Sequence, residues 1–244
     1  MANFLLPIAV LIGATIYFDT EMEMGVLVLH GLTLSPMDIL FIRHGETDWN
    51  REMRIQGGIV SIDINARGIR QAEISRDGLV AAGYRFDRAF VSPYHRARHT
   101  AEILLAPHGI EPTVDDRLHE INFGPYEGTS IRAFADDNIR AAFKDPPRYT
   151  PQRGGESFES VEVRLREFLE QVIKPLEGQA QTILVVAHGG ILRTLTRLFD
   201  NRPLSEFWTA DHQPNCCAHL LSCRNGILTL ERRGLLFYDE SLLV

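Results

Sequence analysis

Two histidine–glycine pairs and two arginines stand directly behind short apolar runs of the chain. The run ILFI leads into Arg43 and His44, and the run ILVVA leads into His188 and Gly189. A third run, RAFV, is followed a few residues later by Arg96. The guanidinium group binds phosphate oxygens in pairs, and glycine lets the backbone approach a ligand closely. Residues of these types, brought together, would form a site for an anion.

The three apolar runs predict buried strands at 38–42, 88–91 and 183–187. In an open parallel sheet, ligands bind outside the carboxyl ends of the strands, which is where these histidines and arginines stand. A single histidine at a strand end often only satisfies a loop. Two histidine–glycine strand ends with two arginines favour a functional anion site instead.

Helices are predicted between these strands. Asn65 is a candidate N-cap for a helix at 65–82, which Gly83 would end, and Ser92 is a candidate N-cap for a helix that starts at Pro93. Further helices are predicted at 157–173 and 191–199, and final strands at 219–222 and 227–231. This alternation predicts an α/β fold, a three-layer sandwich with a mainly parallel central sheet and helices on both faces.

Composition argues against several classes of protein. The chain has 244 residues and a formal charge of −7, whereas a general nucleic-acid binder would present a basic face. Its 3 cysteines (Cys216, Cys217 and Cys223) form neither a Cys-x-x-Cys pair nor a disulfide framework. A reducing compartment, the cytoplasm, is therefore the predicted location. A few arginines in a cleft can still hold an anionic substrate in an acidic protein.

The first 36 residues differ in composition from the rest of the chain. Residues 4–18 form an uncharged apolar run that is shorter than the roughly 20 residues of a membrane-spanning helix. A signal peptide has positively charged residues before its apolar run, and no lysine or arginine precedes this one. We predict an N-terminal extension at 1–36 and a main domain at 37–244. For the extension we favour a stretch outside the native reading frame, over a weak membrane anchor or an arm covering the domain.

Five ordered blocks of the sequence resemble the histidine phosphatase superfamily, also called the phosphoglycerate mutase-like family. The blocks are RHGETDWN at 43–50 with RIQG at 54–57, SPYHRA at 92–97, LHEINFG at 118–124 with EG at 127–128, GES at 155–157, and VAHGG at 186–190. Five blocks in one order are far more specific than one short motif. The resemblance covers 37–244 and implies an enzyme that acts on phosphate groups.

The resemblance implies a role for each residue of the predicted anion site. His44 would attack phosphorus and form a phosphohistidine, because neutral imidazole is nucleophilic near neutral pH. Glu120 would protonate the leaving oxygen and then deprotonate the water that hydrolyses the intermediate. The implied catalytic set is His44, Glu120, Arg43, Arg96 and His188, and the implied substrate-binding set is Arg43, Asn50, Gln56, Arg96, His188 and Gly189. No metal and no cofactor are implied, since the arginines supply positive charge.

Neighbouring residues have structural interpretations. We expect His95 and His99 to be solvent-facing residues of a helix, and Trp49 to be a packing residue. The stretch GIVSIDIN at 58–65 departs from the family, because it lacks the usual proline and is one residue longer. That loop borders the substrate entrance in the family, so the resemblance does not fix the substrate.

Three functions fit this residue set. A phosphatase that hydrolyses small-molecule phosphate monoesters is favoured, because the segment between Glu120 and His188 lacks the long insert with which mutases help to exclude water. A mutase-type phosphoryl transfer and an inactive phosphate-binding regulatory domain are the alternatives. The predicted partner is a small phosphorylated metabolite, with no nucleic acid and no membrane. A homodimer is left open.

Overall fold

A single mixed sheet organises the protein, described by a computed structural model over residues 36–209 and 213–239. Its strands are β1 (Met37–Arg43), β2 (Arg88–Val91), β3 (Thr113–Val114), β4 (Thr182–Ala187), β5 (Ala218–Arg224) and β6 (Ile227–Leu235). Their order across the sheet is β3-β2-β4-β1-β5-β6. The pairs among β1 to β4 are parallel, and β5 and β6 pair antiparallel. Apart from Pro36, the predicted N-terminal extension lies outside the described residues.

Six α-helices accompany the sheet in the described part of the chain. They are α1 (Asp48–Arg51), α2 (Ala66–Ala81), α3 (His95–Leu105), α4 (Asp137–Lys144), α5 (Phe158–Phe168) and α6 (Gly189–Asp200). A π-helical segment, Leu169–Ile173, continues α5. The Asn65 side chain accepts a hydrogen bond from the Gly68 amide at the start of α2, as predicted for its N-cap. Within the described ranges, no helix combines the length and apolar character needed to cross a bilayer.

The sheet is covered on both faces, which explains why its central strands are continuously apolar. Side chains alternate along β1, so Ile39 and Phe41 pack with α5 and α6 while Leu40 and Ile42 pack with α2 and α3. Burying each such side chain stabilises the fold by roughly 1.5–3 kcal/mol. The predicted fold class, an α/β sandwich with a mainly parallel sheet, is confirmed.

Candidate active site

The carboxyl ends of three adjacent parallel strands bring the predicted chemistry together. In the register of the sheet, Arg43 at the end of β1 lies beside Ala187 at the end of β4. The residues that follow these two are His44 and His188, whose ring centroids are 5.2 Å apart. Strand β2 flanks β4 on its other side, and its last residue, Val91, lies beside Val186, one residue before the end of β4. The convergence predicted from the strand ends is therefore present in the structure.

His44 is held as a neutral imidazole with a defined tautomer. Its side chain is buried, and its Nδ1 lies 2.7 Å from the carbonyl oxygen of Gly45. A carbonyl oxygen can only accept, so Nδ1 carries the proton and Nε2 carries the lone pair. Burial, followed by the charges of Arg96 and Arg43, lowers the pKa of His44 well below its usual value near 6.5. Nε2 is thus an unprotonated nitrogen at neutral pH.

His188 is oriented by a serine from the neighbouring strand end. Its Nε2 lies 2.7 Å from Oγ of Ser92, and both residues are buried. The prediction that Ser92 caps a helix starting at Pro93 is wrong, because α3 begins at His95 after Tyr94, without a side-chain cap. The serine hydroxyl contacts the histidine instead. Nδ1 of His188 is buried and has no hydrogen-bond partner among the described residues.

The two predicted arginines occupy different depths. Arg96 is fully buried and donates to the carbonyl oxygens of Gln56, Gly57 and Ile59 at 2.8–3.2 Å. Burial lowers the pKa of Arg96 to about 10, so the guanidinium remains charged at neutral pH. Arg43 lines an open cleft and donates to the backbone oxygen of Gln213. The positive charges of Arg96 and Arg43 both lower the pKa of His44, so both guanidinium groups lie close enough to influence this imidazole.

The Glu120 carboxylate sits at the amino end of α6. Its Oε2 accepts from the amide of Gly190 at 2.9 Å, and its Oε1 accepts from the amide of Ile121 at 2.8 Å. The first amides of a helix are free of intrahelical partners and carry partial positive charge, so they favour a carboxylate there. Glu120 lines the same cleft as His44.

A cleft of about 190 Å³ has Arg43, His44 and Glu120 among its lining residues, but neither Arg96 nor His188. The predicted substrate-binding residues Asn50 and Gln56 both line it, together with Gly189. Asn50 Oδ1 accepts from Nδ2 of Asn215 at 3.1 Å, and Gln56 Oε1 accepts from the Thr47 hydroxyl at 2.8 Å. These side chains are therefore held in place from outside the cleft.

Comparison with known proteins identifies the family of the chain. The model of the histidine phosphatase superfamily, branch 1, matches residues 39–235. The chain belongs to the histidine phosphatase superfamily. The family and enzyme class predicted from the sequence are confirmed.

Relatives of this histidine phosphatase have different names. It is 31% identical to phosphoserine phosphatase 1 of Hydrogenobacter thermophilus, over 79% of this chain and 90% of that protein. It is 30% identical to a 2,3-bisphosphoglycerate-dependent phosphoglycerate mutase of Rhizobium rhizogenes, over 66% of this chain and 79% of that protein. Among solved structures it is similar to Bacillus stearothermophilus YhfR, with a TM-score of 0.73, 30% identity, and coverage of 81% of this chain and 96% of that one.

Two cleft cations of this histidine phosphatase escaped the sequence analysis. Arg54 and Arg193 both line the cleft. Arg54 lies within a block that carries the family resemblance, and Arg193 stands one helical turn beyond Gly189 on α6. That one-turn spacing from a predicted ligand-binding residue was the available signal for Arg193. The expected surface residues behave as predicted, since His95 is exposed and His99 pairs with Asp63 in a half-exposed position.

The buried histidines His44 and His188 should make the stability of this histidine phosphatase depend on pH. Burial lowers the pKa of both His44 and His188 well below 6.5 in the folded state. Below that pH the unfolded chain binds protons that the folded chain does not, so stability falls as pH decreases. Each histidine contributes a slope of up to about 1.4 kcal/mol per pH unit.

Urea unfolding at pH 7.5, 6.5 and 5.5 measures this slope. We expect a variant with both His44→Gln and His188→Gln to show a shallower decline between pH 6.5 and 5.5 than the unmodified chain. His95→Gln, which removes an exposed histidine, is the matched control and should leave the decline unchanged. An identical decline in the double variant would contradict the assignment.

Proposed function

We propose that the protein is a phosphatase that hydrolyses small phosphate monoesters through a phosphohistidine at Nε2 of His44. The observation that carries the proposal is the neutral, tautomer-fixed His44 in one cleft with the Glu120 carboxyl group. Family membership supports it, as does the relative named as a phosphoserine phosphatase. Phosphate monoesters of small metabolites are the proposed class of substrate.

In the first step, Nε2 of His44 attacks phosphorus and the bond from phosphorus to the alcohol oxygen breaks. Glu120, in its protonated form, gives its proton to that oxygen. In the second step, Glu120 takes a proton from water, the water oxygen attacks phosphorus, and the P–N bond breaks. Inorganic phosphate leaves and His44 is again neutral.

Arg43 and Arg96 neutralise the charge of the transferring phosphoryl group, and His188 contributes a hydrogen bond. When the Ser92 hydroxyl donates to Nε2 of His188, the proton of that imidazole is on Nδ1. The Nδ1–H group of His188 is then the proposed donor to a phosphoryl oxygen. Asn50, Gln56 and the Gly189 amide are the proposed further contacts of the substrate.

Release of inorganic phosphate from p-nitrophenyl phosphate tests the proposal. Catalytic release is expected, and its absence at high protein concentration would favour the alternative of an inactive phosphate-binding domain. The mutase alternative is supported by the relative from Rhizobium rhizogenes. Incubation with 3-phosphoglycerate and 2,3-bisphosphoglycerate distinguishes the two enzymes, because a mutase forms 2-phosphoglycerate whereas a phosphatase releases phosphate.

Gly190 makes room for the Glu120 carboxylate. A Cβ atom at this position would lie 2.3 Å from Oε1 of Glu120 and 2.7 Å from Cδ1 of Ile121. Gly190→Ala must displace the carboxylate, and misplacing a catalytic group by about 1 Å costs roughly 100-fold in rate. We therefore expect kcat for p-nitrophenyl phosphate to fall by about that factor.

Gly189→Ala provides the matched comparison one residue earlier. A Cβ atom there would meet Nε of Arg43 at 3.4 Å, which is an ordinary contact, and the backbone amide is kept. Its loss of kcat should be much smaller, with both variants melting at similar temperatures. Equal losses would show that Glu120 does not depend on the space at Gly190.

Turnover should not require a divalent ion. Arg43, Arg54 and Arg193 line the cleft, and the charged Arg96 lies buried close to His44. These cations neutralise phosphate without further help. We expect the rate to stay unchanged after incubation with EDTA and dialysis. Loss of activity that only a divalent ion restores would contradict this prediction.

A further inference from the structure

One set of apolar and aromatic side chains contributes to the lining of the cleft. Its members are Ile55, Ile121, Phe123, Ile131, Phe143 and Trp208. Two residues of this set, Ile121 and Phe123, follow Glu120 directly in the chain. A leaving group whose oxygen takes a proton from Glu120 would therefore lie close to them.

The aromatic members form one continuous wall. The rings of Phe123 and Phe143 have centroids 5.3 Å apart, and Phe143 stacks on Trp208 at 4.9 Å with an interplanar angle of 25°. The indole Nε1 of Trp208 donates to the backbone oxygen of Ala142 at 2.6 Å. That hydrogen bond fixes the indole and uses its polar atom, so the wall presents ring surface to the cleft.

Two arginines that line the same cleft, Arg193 and Arg54, are engaged in holding its walls. Arg193 donates to the backbone oxygens of Phe207 and Trp208 at 3.3 Å, and its guanidinium lies 5.4 Å from the Trp208 ring centroid. Arg54 donates to the backbone oxygen of Gly128 at 2.8 Å and lies over Trp49 at 4.1 Å. Their charge favours an anion in the cleft, while their hydrogen bonds are directed to the protein.

Taking the proposed phosphatase activity as given, we propose that the substrate is a phosphate monoester of a primary alcohol with an aromatic or compact apolar group. The cleft selects this group against the hydroxyl, amino and carboxylate groups of small polar metabolites. Its volume of about 190 Å³ lies below the 300–1,000 Å³ typical of pockets for drug-sized ligands, so the group is about one ring in size.

Paired substrates test this selection without changing the chemistry of the departing oxygen. 2-Phenylethyl phosphate and glycerol 3-phosphate both release a primary alcohol, so their leaving groups are chemically alike. O-Phosphoserine adds a charged polar substrate. We expect kcat/KM for 2-phenylethyl phosphate to exceed that of either polar substrate by at least about tenfold. p-Nitrophenyl phosphate serves as the reference for the chemical step.

Variants of the wall assign the preference to named residues. Phe143→Ala should lower kcat/KM for 2-phenylethyl phosphate about tenfold, mainly through KM, and change that for glycerol 3-phosphate by less than about threefold. Phe237→Ala removes a half-buried phenylalanine that packs on Tyr84, outside the residues lining the cleft, and is the matched control. If Phe143→Ala does not fold, Ile131→Ser tests the same preference. Ile131 lines the cleft but is only half-buried and lies between helices, so its replacement should disturb the fold less.

The outcomes separate the two proposals. Preference for glycerol 3-phosphate or O-phosphoserine, with normal turnover of p-nitrophenyl phosphate, overturns the substrate class and leaves the phosphatase proposal standing. Equal effects of Phe143→Ala or Ile131→Ser on all substrates also overturn the substrate class. Absence of turnover with every substrate, p-nitrophenyl phosphate included, overturns the phosphatase proposal and the substrate class with it.

Discussion

Replacing His44 by alanine is expected to abolish phosphatase turnover while the fold persists. The side chain forms its hydrogen bond with the adjacent carbonyl of Gly45, so its removal breaks no long-range link. The structural bonds of this residue belong to its backbone, which donates to Ala187 and accepts from Asn215 at 3.0 Å. Loss of a covalent nucleophile should lower kcat by about four orders of magnitude or more.

Steady-state hydrolysis of p-nitrophenyl phosphate measures the loss, and thermal melting verifies the fold. His95→Ala is the matched control, because His95 is exposed on α3 immediately before Arg96. It should retain the activity of the unmodified chain. Rapid acid quenching should trap an acid-labile phosphoryl group on the unmodified protein and none on His44→Ala. Near-normal turnover by His44→Ala would refute the covalent mechanism.

The sheet could be predicted from the sequence because its central strands lie between two layers of helices. Every side chain of β4 after Thr182 is fully buried, so the strand is an uninterrupted apolar run, ILVVA. The parallel order then places the residue after each strand at one edge of the sheet. For this reason His44 and His188, far apart in the chain, could be expected as neighbours.

The contacts that refine the site could not be predicted, because they join segments whose separation in the chain carries no local signal. Ser92 resembles a helix cap in its local sequence, yet its hydroxyl contacts His188, which arrives from a different strand. Likewise, the stacking of Phe143 on Trp208 depends on a helix and a turn that meet only in the folded protein. Periodicity reports which residues are buried, and it does not report which of them face each other across a cleft.

Replacing Glu120 by glutamine is expected to have an effect that depends on the alcohol of the substrate. An alkoxide is a poor leaving group and needs a proton as the P–O bond breaks, whereas p-nitrophenolate leaves without one. Positioned acid catalysis contributes about 10²–10⁴-fold to rates, so formation of the phosphoenzyme from an alkyl phosphate should slow by that factor. The same step with p-nitrophenyl phosphate should slow far less. Single-turnover measurements of alcohol release on a rapid-quench instrument compare the two.

The structure shows why both substrates are needed to interpret Glu120→Gln. Both carboxylate oxygens of Glu120 accept backbone amides, from Ile121 and from Gly190, so the amide NH₂ of glutamine would face an N–H group. This mismatch disturbs the cleft equally for either substrate, and only the ratio of the two losses reports proton transfer. Glu52→Gln, which removes a charge paired with the cleft residue Arg54, is the matched control and should leave the ratio at that of the unmodified chain. Equal losses for the alkyl and aryl substrates in Glu120→Gln would rule out Glu120 as the acid and leave it as a group that only shapes the site.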